Sequence, residues 1–353
     1  MTKTIPLNSR PLTASRFVQI LREGTFPALR LLARPSTLAQ IPRLFGEGLA
    51  PARRMFVQAH NNREMARMLR EKAPITFVCS FARSGNTWMR YLMCDVLLQN
   101  QGFETTTELA VDPGRIIPDY YAQMIARRDT SVKTPGSMIK THDLIPMLQA
   151  HIGGDPAVRK CRYLYLYRTP EDALVSLFHL SLREKYIRSK AGRDIDLFCL
   201  EALPSWIEHL KSYLDALDEG VEIHLVFYDQ LLRQSTAVLR ETLNWLGIPH
   251  TDAILNHADS NMQFGKLQAM EAKTLDGRIP FFRRGSDGSG SVELKPETLS
   301  KIRDAAKQVF ARANESLARQ SLRNKAVQDA PSFSTEPRSP NGQAAVIPAS
   351  NAR

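Results

Sequence analysis

Three short apolar runs, each leading directly into a helix-forming segment, constrain this chain more than any other feature. They are Ile75-Thr-Phe-Val-Cys-Ser-Phe, Cys161-Arg-Tyr-Leu-Tyr-Leu-Tyr and Val221-Glu-Ile-His-Leu-Val-Phe, with a shorter run, Ser137-Met-Ile-Lys-Thr, between the first two. Near-continuous apolar strands have no wet face, so both sides must be covered. Strands of this kind interleaved with helices predict an α/β fold, a central parallel sheet flanked by helices in three layers.

The first unit also carries chemistry. After the strand comes a tight polar loop, Ala82-Arg-Ser-Gly-Asn-Thr87, and then a helix through Thr87-Trp-Met-Arg-Tyr-Leu-Met-Cys-Asp-Val-Leu-Leu. A strand that turns through glycine into a helix aims backbone N–H groups and the positive end of the helix dipole at one point. Arg83 adds a full charge there, so the point suits a phosphate. The loop lacks the Gly-Lys-Ser/Thr of a Walker A loop. Cys79 and Arg83 are too close in sequence for a tyrosine-phosphatase cradle. Read alone, the segment also suits an ordinary strand–turn–helix joint.

Composition narrows the class. The 353 residues are 43% hydrophobic and 24% charged, as in soluble globular proteins, and no run is long enough to span a bilayer. No secretory leader is evident, and Cys79, Cys94, Cys161 and Cys199 have no paired spacing, so free thiols in a cytoplasmic setting are expected. The net charge of +11 asks for an anionic partner. Cations standing singly at strand ends suit a nucleotide phosphate better than a nucleic-acid groove, so no nucleic acid is expected. Residues 1–73 read as a basic, proline-broken helical extension. Its Arg-rich, acid-poor composition leaves organelle targeting and peripheral membrane contact open. Residues 74–322 form the main domain, and 323–353, rich in Pro, Ser and Ala, read as a disordered tail.

Three further clusters follow the first. Arg168-Thr-Pro-Glu-Asp places an arginine at a strand end, a capping threonine, a proline at the first helical position and acids in the first turn, with Ser176 two turns on. That is the carboxyl edge of the sheet, where ligands of open α/β folds bind. Phe281-Phe-Arg-Arg-Gly285 sets two guanidinium forks before a glycine. Lys140-Thr-His142 ends the short strand with a charge stabiliser and a candidate general base. Each alone has a plain structural reading: an Arg paired with a helix carboxylate, a solvated basic loop, a structural histidine.

Together, in this order, the four clusters resemble the sulfotransferases that use 3′-phosphoadenosine 5′-phosphosulfate (PAPS), of the cytosolic and bacterial type, over residues 74–322. The resemblance implies a P-loop-like three-layer fold and sulfuryl transfer to a hydroxyl or amine of a small-molecule or glycan acceptor. It implies that Arg83, Ser84, Gly85, Asn86 and Thr87 hold the 5′-phosphate and sulfuryl group. Arg168, Ser176, Arg283, Arg284 and Gly285 would hold the 3′-phosphate, with Trp88, Tyr228 and Phe264 around the adenine. His142 would be the base, with Arg83 and Lys140 as charge stabilisers, and no metal is expected. Residues 103–137 and 178–200, with Phe178, His179, Tyr186 and Phe198, would line the acceptor site. The chain departs from the family at Arg83, where a lysine is usual, and in lacking a tryptophan after the closing loop. Oligomerisation stays open. The alternatives are a nucleotide-dependent kinase or NTPase, which lacks its Walker lysine here, and a non-enzymatic basic protein binding nucleic acid or membrane.

Overall fold

The computed structural model describes residues 50–105, 112–183, 194–273, 282–283, 285 and 287–329. Four strands, β1 (Ile75–Ser80), β2 (Ser137–Thr141), β3 (Arg162–Tyr167) and β4 (Ile223–Phe227), form one sheet in the order β2-β1-β3-β4. All three pairings are parallel, with Val78 opposite Lys140 and Leu164, and Leu164 opposite His224.

The alternation of strand side chains divides the interior into two cores. Phe77, Cys79, Tyr163, Tyr165 and Leu225 face one side. Val78, Leu164, Leu166 and Val226 face the other. The second side is covered by α2 (Asn86–Gln99), α7 (Ser235–Leu246) and α8 (Asp252–Asn261). The first is covered by α4 (Pro170–Arg183), α5 (Ile195–Asp218) and the long α11 (Pro296–Asp329). Shorter helices α3 (Ile145–His151), α6 (Tyr228–Arg233), α9 (Phe264–Ala272) and α10 (Ser289–Glu293) complete the layers. The expected fold, a central parallel sheet flanked by helices, is the one observed.

The strand order places the site. From β1 the chain moves to β2 on one side, then crosses to β3 on the other, while α2 and α4 leave toward opposite faces. A crevice therefore opens at the carboxyl ends of β1 and β3. The loops carrying Arg83 and Arg168 meet there.

The helix ends have local causes. Helix α5 begins at Ile195, because Asp194 caps it by accepting from the backbone N–H groups of Asp196 and Leu197. Pro204 then lies inside the helix, and the burial of Cys199, Leu203 and Trp206 outweighs the hydrogen bond it removes. Helix α11 continues past residue 322 to Asp329, so the first part of the expected disordered tail is helical; the rest lies outside the described residues. Helix α1 (Ala50–Arg70) buries Val57, Asn61, Met65 and Met68 against the domain. The rest of the extension lies outside the described residues.

Candidate active site

The loop after β1 holds two left-handed residues, Arg83 at φ 71° and Gly85 at φ 92°. At Gly85 a Cβ would lie 2.4 Å from the Tyr228 ring, so both the backbone and the close approach require glycine. An arginine at positive φ is strained, the kind of outlier that concentrates at functional sites. Helix α2 starts at Gly85 without a side-chain cap, leaving its first N–H groups for a ligand. The Ser84 hydroxyl is buried and has no hydrogen-bond partner in the protein. A cradle of uncapped donors plus an unsatisfied hydroxyl fits a phosphate. Asn86 differs from its companions: its amide donates to the Val78 carbonyl at 3.0 Å and so locks the loop onto β1. Thr87 is half-buried in the same wall.

Arg168, just past β3, lies buried with its guanidinium 4.4 Å over the Tyr228 ring and 3.5 Å from Asp172. Ser176 accepts from Arg83 Nε at 3.0 Å, which joins the first two clusters directly. The acids at the start of α4 do more than complement its dipole. Asp172 accepts from the N–H groups of Gly288 and Gly290, both at 2.7 Å, and so ties the start of α10 to the first turn of α4. Arg283 pairs with Glu293 at 2.8 Å, and His179 shares that carboxylate at 2.6 Å. At Gly285 a Cβ would meet the Phe264 ring at 2.1 Å, so the aromatic packs flat on the glycine. Trp88 donates to the Met262 carbonyl at 2.8 Å and stands edge-on to Tyr228. Arg284 and Tyr186 lie outside the described residues.

At the end of β2, Lys140 Nζ is 2.5 Å from Asp119, whose residue bridges to β2 like a short extra strand. Burial opposes the Asp119 charge, but the Lys140 charge and hydrogen bond hold this carboxyl below its usual range. Burial likewise draws Lys140 below the usual lysine range, with Asp119 opposing. His142 Nδ1 lies 2.7 Å from the Ser80 carbonyl oxygen. A carbonyl only accepts, so Nδ1 carries the hydrogen and Nε2 keeps its lone pair. Burial, then the Lys140 charge, holds the imidazole well below its ordinary pKa and therefore neutral. Behind it, His209 on α5 donates to the His142 carbonyl at 3.0 Å and accepts from the Tyr165 hydroxyl at 2.8 Å. Tyr213 donates to the neighbouring Asp143 carbonyl at 2.7 Å.

Arg83, Lys140, His142, Arg168, Ser176 and Arg283 converge on a cavity of about 370 Å³. Its wall includes the expected Arg83, Lys140, Arg168 and Arg283 and the aromatics Trp88, Tyr228 and Phe264, and also Arg90, Asp119, Leu180, Phe282 and Ser289, which no sequence motif marks. Among the described residues of the expected acceptor segments, Asp119 and Leu180 reach this wall. Phe178 and Phe198 instead pack edge-to-face at 5.5 Å.

The sulfotransferase domain family matches residues 74–314. Flavonol 3-sulfotransferase of Flaveria bidentis is 22% identical over 253 residues, covering 64% of this chain and 78% of the relative. A WSCD family member of Aedes aegypti is 29% identical over 189 residues, covering 51% of this chain and 53% of the relative, so the chain spans about half of that protein. Among solved structures, a mouse sulfotransferase complexed with PAP aligns over 73% of this chain and 89% of its own, at 17% identity and a TM-score of 0.47.

Proposed function

The chain belongs to the sulfotransferase family, and from that premise we propose that it transfers the sulfuryl group of PAPS to a hydroxyl or amine of a small-molecule or glycan acceptor. One observation carries the reading: a neutral His142, with Nδ1 pinned to Ser80 and the Nε2 lone pair left free, lines the same cavity as Lys140 and the loop of Arg83.

PAPS supplies an activated S–O bond whose leaving group is a nucleotide phosphate. His142 Nε2 takes the proton from the acceptor as its oxygen or nitrogen forms the new bond to sulfur. The S–O bond to the nucleotide breaks, and the charge leaves with the 5′-phosphate. Arg83 and Lys140 stabilise that growing charge, and fixed cations of this kind are usually the largest single catalytic contribution. No proton is needed on the leaving group, so an arginine at position 83 serves as well as a lysine in charge. The uncapped start of α2 and the Ser84 hydroxyl receive the 5′-phosphate. Arg168, Ser176 and Arg283 receive the 3′-phosphate, with Arg283 exchanging Glu293 for it. Tyr228, Trp88 and Phe264 flank the adenine.

The name of the flavonol relative supports a small hydroxylated acceptor. The reading is tested by incubating the protein with radiolabelled PAPS and a panel of phenols, alcohols and glycans. Label appearing in an acceptor supports it. A protein that binds 3′,5′-adenosine bisphosphate yet labels nothing leaves it a binding protein.

A further inference from the structure

We propose that Asp119 selects the acceptor by taking a hydrogen bond from a second N–H or O–H group adjacent to the hydroxyl being sulfated, once the donor has drawn Lys140 away. This rests on the sulfuryl-transfer reading above.

Topology separates the two sides of the cavity. The groups assigned to the nucleotide come from the loops and helices that follow β1, β3 and β4, from Phe264 of α9 and from Arg283 and Gly285, whereas Lys140 and His142 stand at the end of β2, at the sheet edge. Beyond β2 stands the strand-like segment that carries Asp119. An acceptor that reaches His142 without crossing the nucleotide therefore passes Asp119. Among the described residues lining the cavity, Asp119 has the sole carboxylate, in a wall that also holds Arg83, Arg90, Lys140, Arg168 and Arg283.

Asp119 is also fixed in place. Its Oδ1 accepts from the Tyr121 N–H at 2.9 Å, and its own N–H donates to Gln123 Oε1 at 2.7 Å. The buried Asn61 of α1 bonds the Tyr120 and Gln123 carbonyls and the Ile125 N–H, so the whole segment is pinned. The side chain keeps 21% exposure, enough for a ligand to reach it. In this state Lys140 neutralises it at 2.5 Å. When Lys140 turns to the sulfuryl oxygens, a half-buried carboxylate loses its partner, and leaving such a charge unmatched is costly. An acceptor donor placed there satisfies it; an acceptor anion is repelled. The acceptor class is therefore a vicinal diol or a hydroxyl with a neighbouring amine, not a carboxylate-bearing molecule.

The test compares kcat/KM for catechol, 2-hydroxybenzylamine, 2-methoxyphenol and salicylate in the parent, Asp119→Asn and Asp119→Glu, with 3′,5′-adenosine bisphosphate affinity measured alongside. In the parent, catechol and the amine should exceed 2-methoxyphenol about tenfold, the size of a lost hydrogen bond to a charged group. Asp119→Asn should erase that ratio and admit salicylate, while Asp119→Glu keeps the preference. A ratio that Asp119→Asn leaves unchanged overturns the proposal and makes Asp119 a Lys140 partner only. So does a parent that binds the bisphosphate but transfers to neither catechol nor the amine. A parent that fails to bind the bisphosphate removes the sulfuryl-transfer reading itself, and this proposal with it.

Discussion

At the scale of single residues, Arg83 separates stability from chemistry. Its φ of 71° costs a side-chain-bearing residue roughly 1–2 kcal/mol relative to the right-handed region. Arg83→Gly relieves that strain and adds chain entropy of similar size to the unfolded state. The melting temperature of Arg83→Gly should therefore stay within a few degrees of the parent. Its turnover should fall on the order of 10²–10³-fold, as for other lost charge stabilisers. Arg83→Lys should keep substantial turnover at the same backbone strain. Scanning calorimetry and labelled-PAPS kinetics on the two variants check this pair of outcomes. This position was legible in the sequence because charge, glycine and a strand–helix joint coincide there. Asp119 was not, since a lone acid in a long irregular segment carries no period or motif. Only its pairing with Lys140 across β2 gives it meaning. The bonds that Asn86 makes to Val78 and Asp172 to Gly288 and Gly290 were not legible, because sequence shows which residues share a loop but not where an amide or carboxylate points.

At the scale of elements, α5 acts as a clamp on the end of β2. His209 bridges the Tyr165 hydroxyl and the His142 carbonyl, and Tyr213 holds the next residue. Burial pushes His209 down to about 4, so it is neutral when folded. Between the unfolded value near 6.5 and about 4, the unfolded chain binds a proton that the folded chain refuses. The stability that His209 contributes is thus full above that window and lost as pH falls through it. His209→Phe, which keeps a ring but leaves two polar groups unmatched, should lower stability by about 2 kcal/mol at neutral pH. It should also flatten the decline in melting temperature between about pH 6.5 and 4, and thermal melts across that range measure both effects. Element order was readable from the strand runs, whose residues pack on both faces as their composition requires. Helices α3 and α8 were not, for physical reasons. The first spans only Ile145–His151, and the second, Asp252–Asn261, is polar on most of its surface, with few apolar positions to set a period.

At the scale of the whole molecule, the catalytic domain does not stand alone. The family match begins at residue 74, yet Asn61 on α1 satisfies three backbone groups of the segment that positions Asp119. Asn61→Ala should destabilise the protein by about 2 kcal/mol or more, read from denaturant unfolding, because those buried groups lose their partners. Sequence composition marked this region as basic and helical, and it had no means of showing that one buried amide joins it to the site. His142 depends on all three scales: its own tautomer, the α5 clamp and the sheet that sets it beside Lys140. With burial holding the imidazole neutral, the pH profile of kcat/KM for the donor should show no inflection at the ordinary histidine value and decline only below it. The most direct measurement is sulfuryl transfer by His142→Ala from labelled PAPS to an alcohol, with calorimetric binding of 3′,5′-adenosine bisphosphate on the same sample. Transfer should fall about 10²–10⁴-fold while bisphosphate affinity holds near the parent's. Transfer at the parental rate would contradict the assignment of His142 as the base.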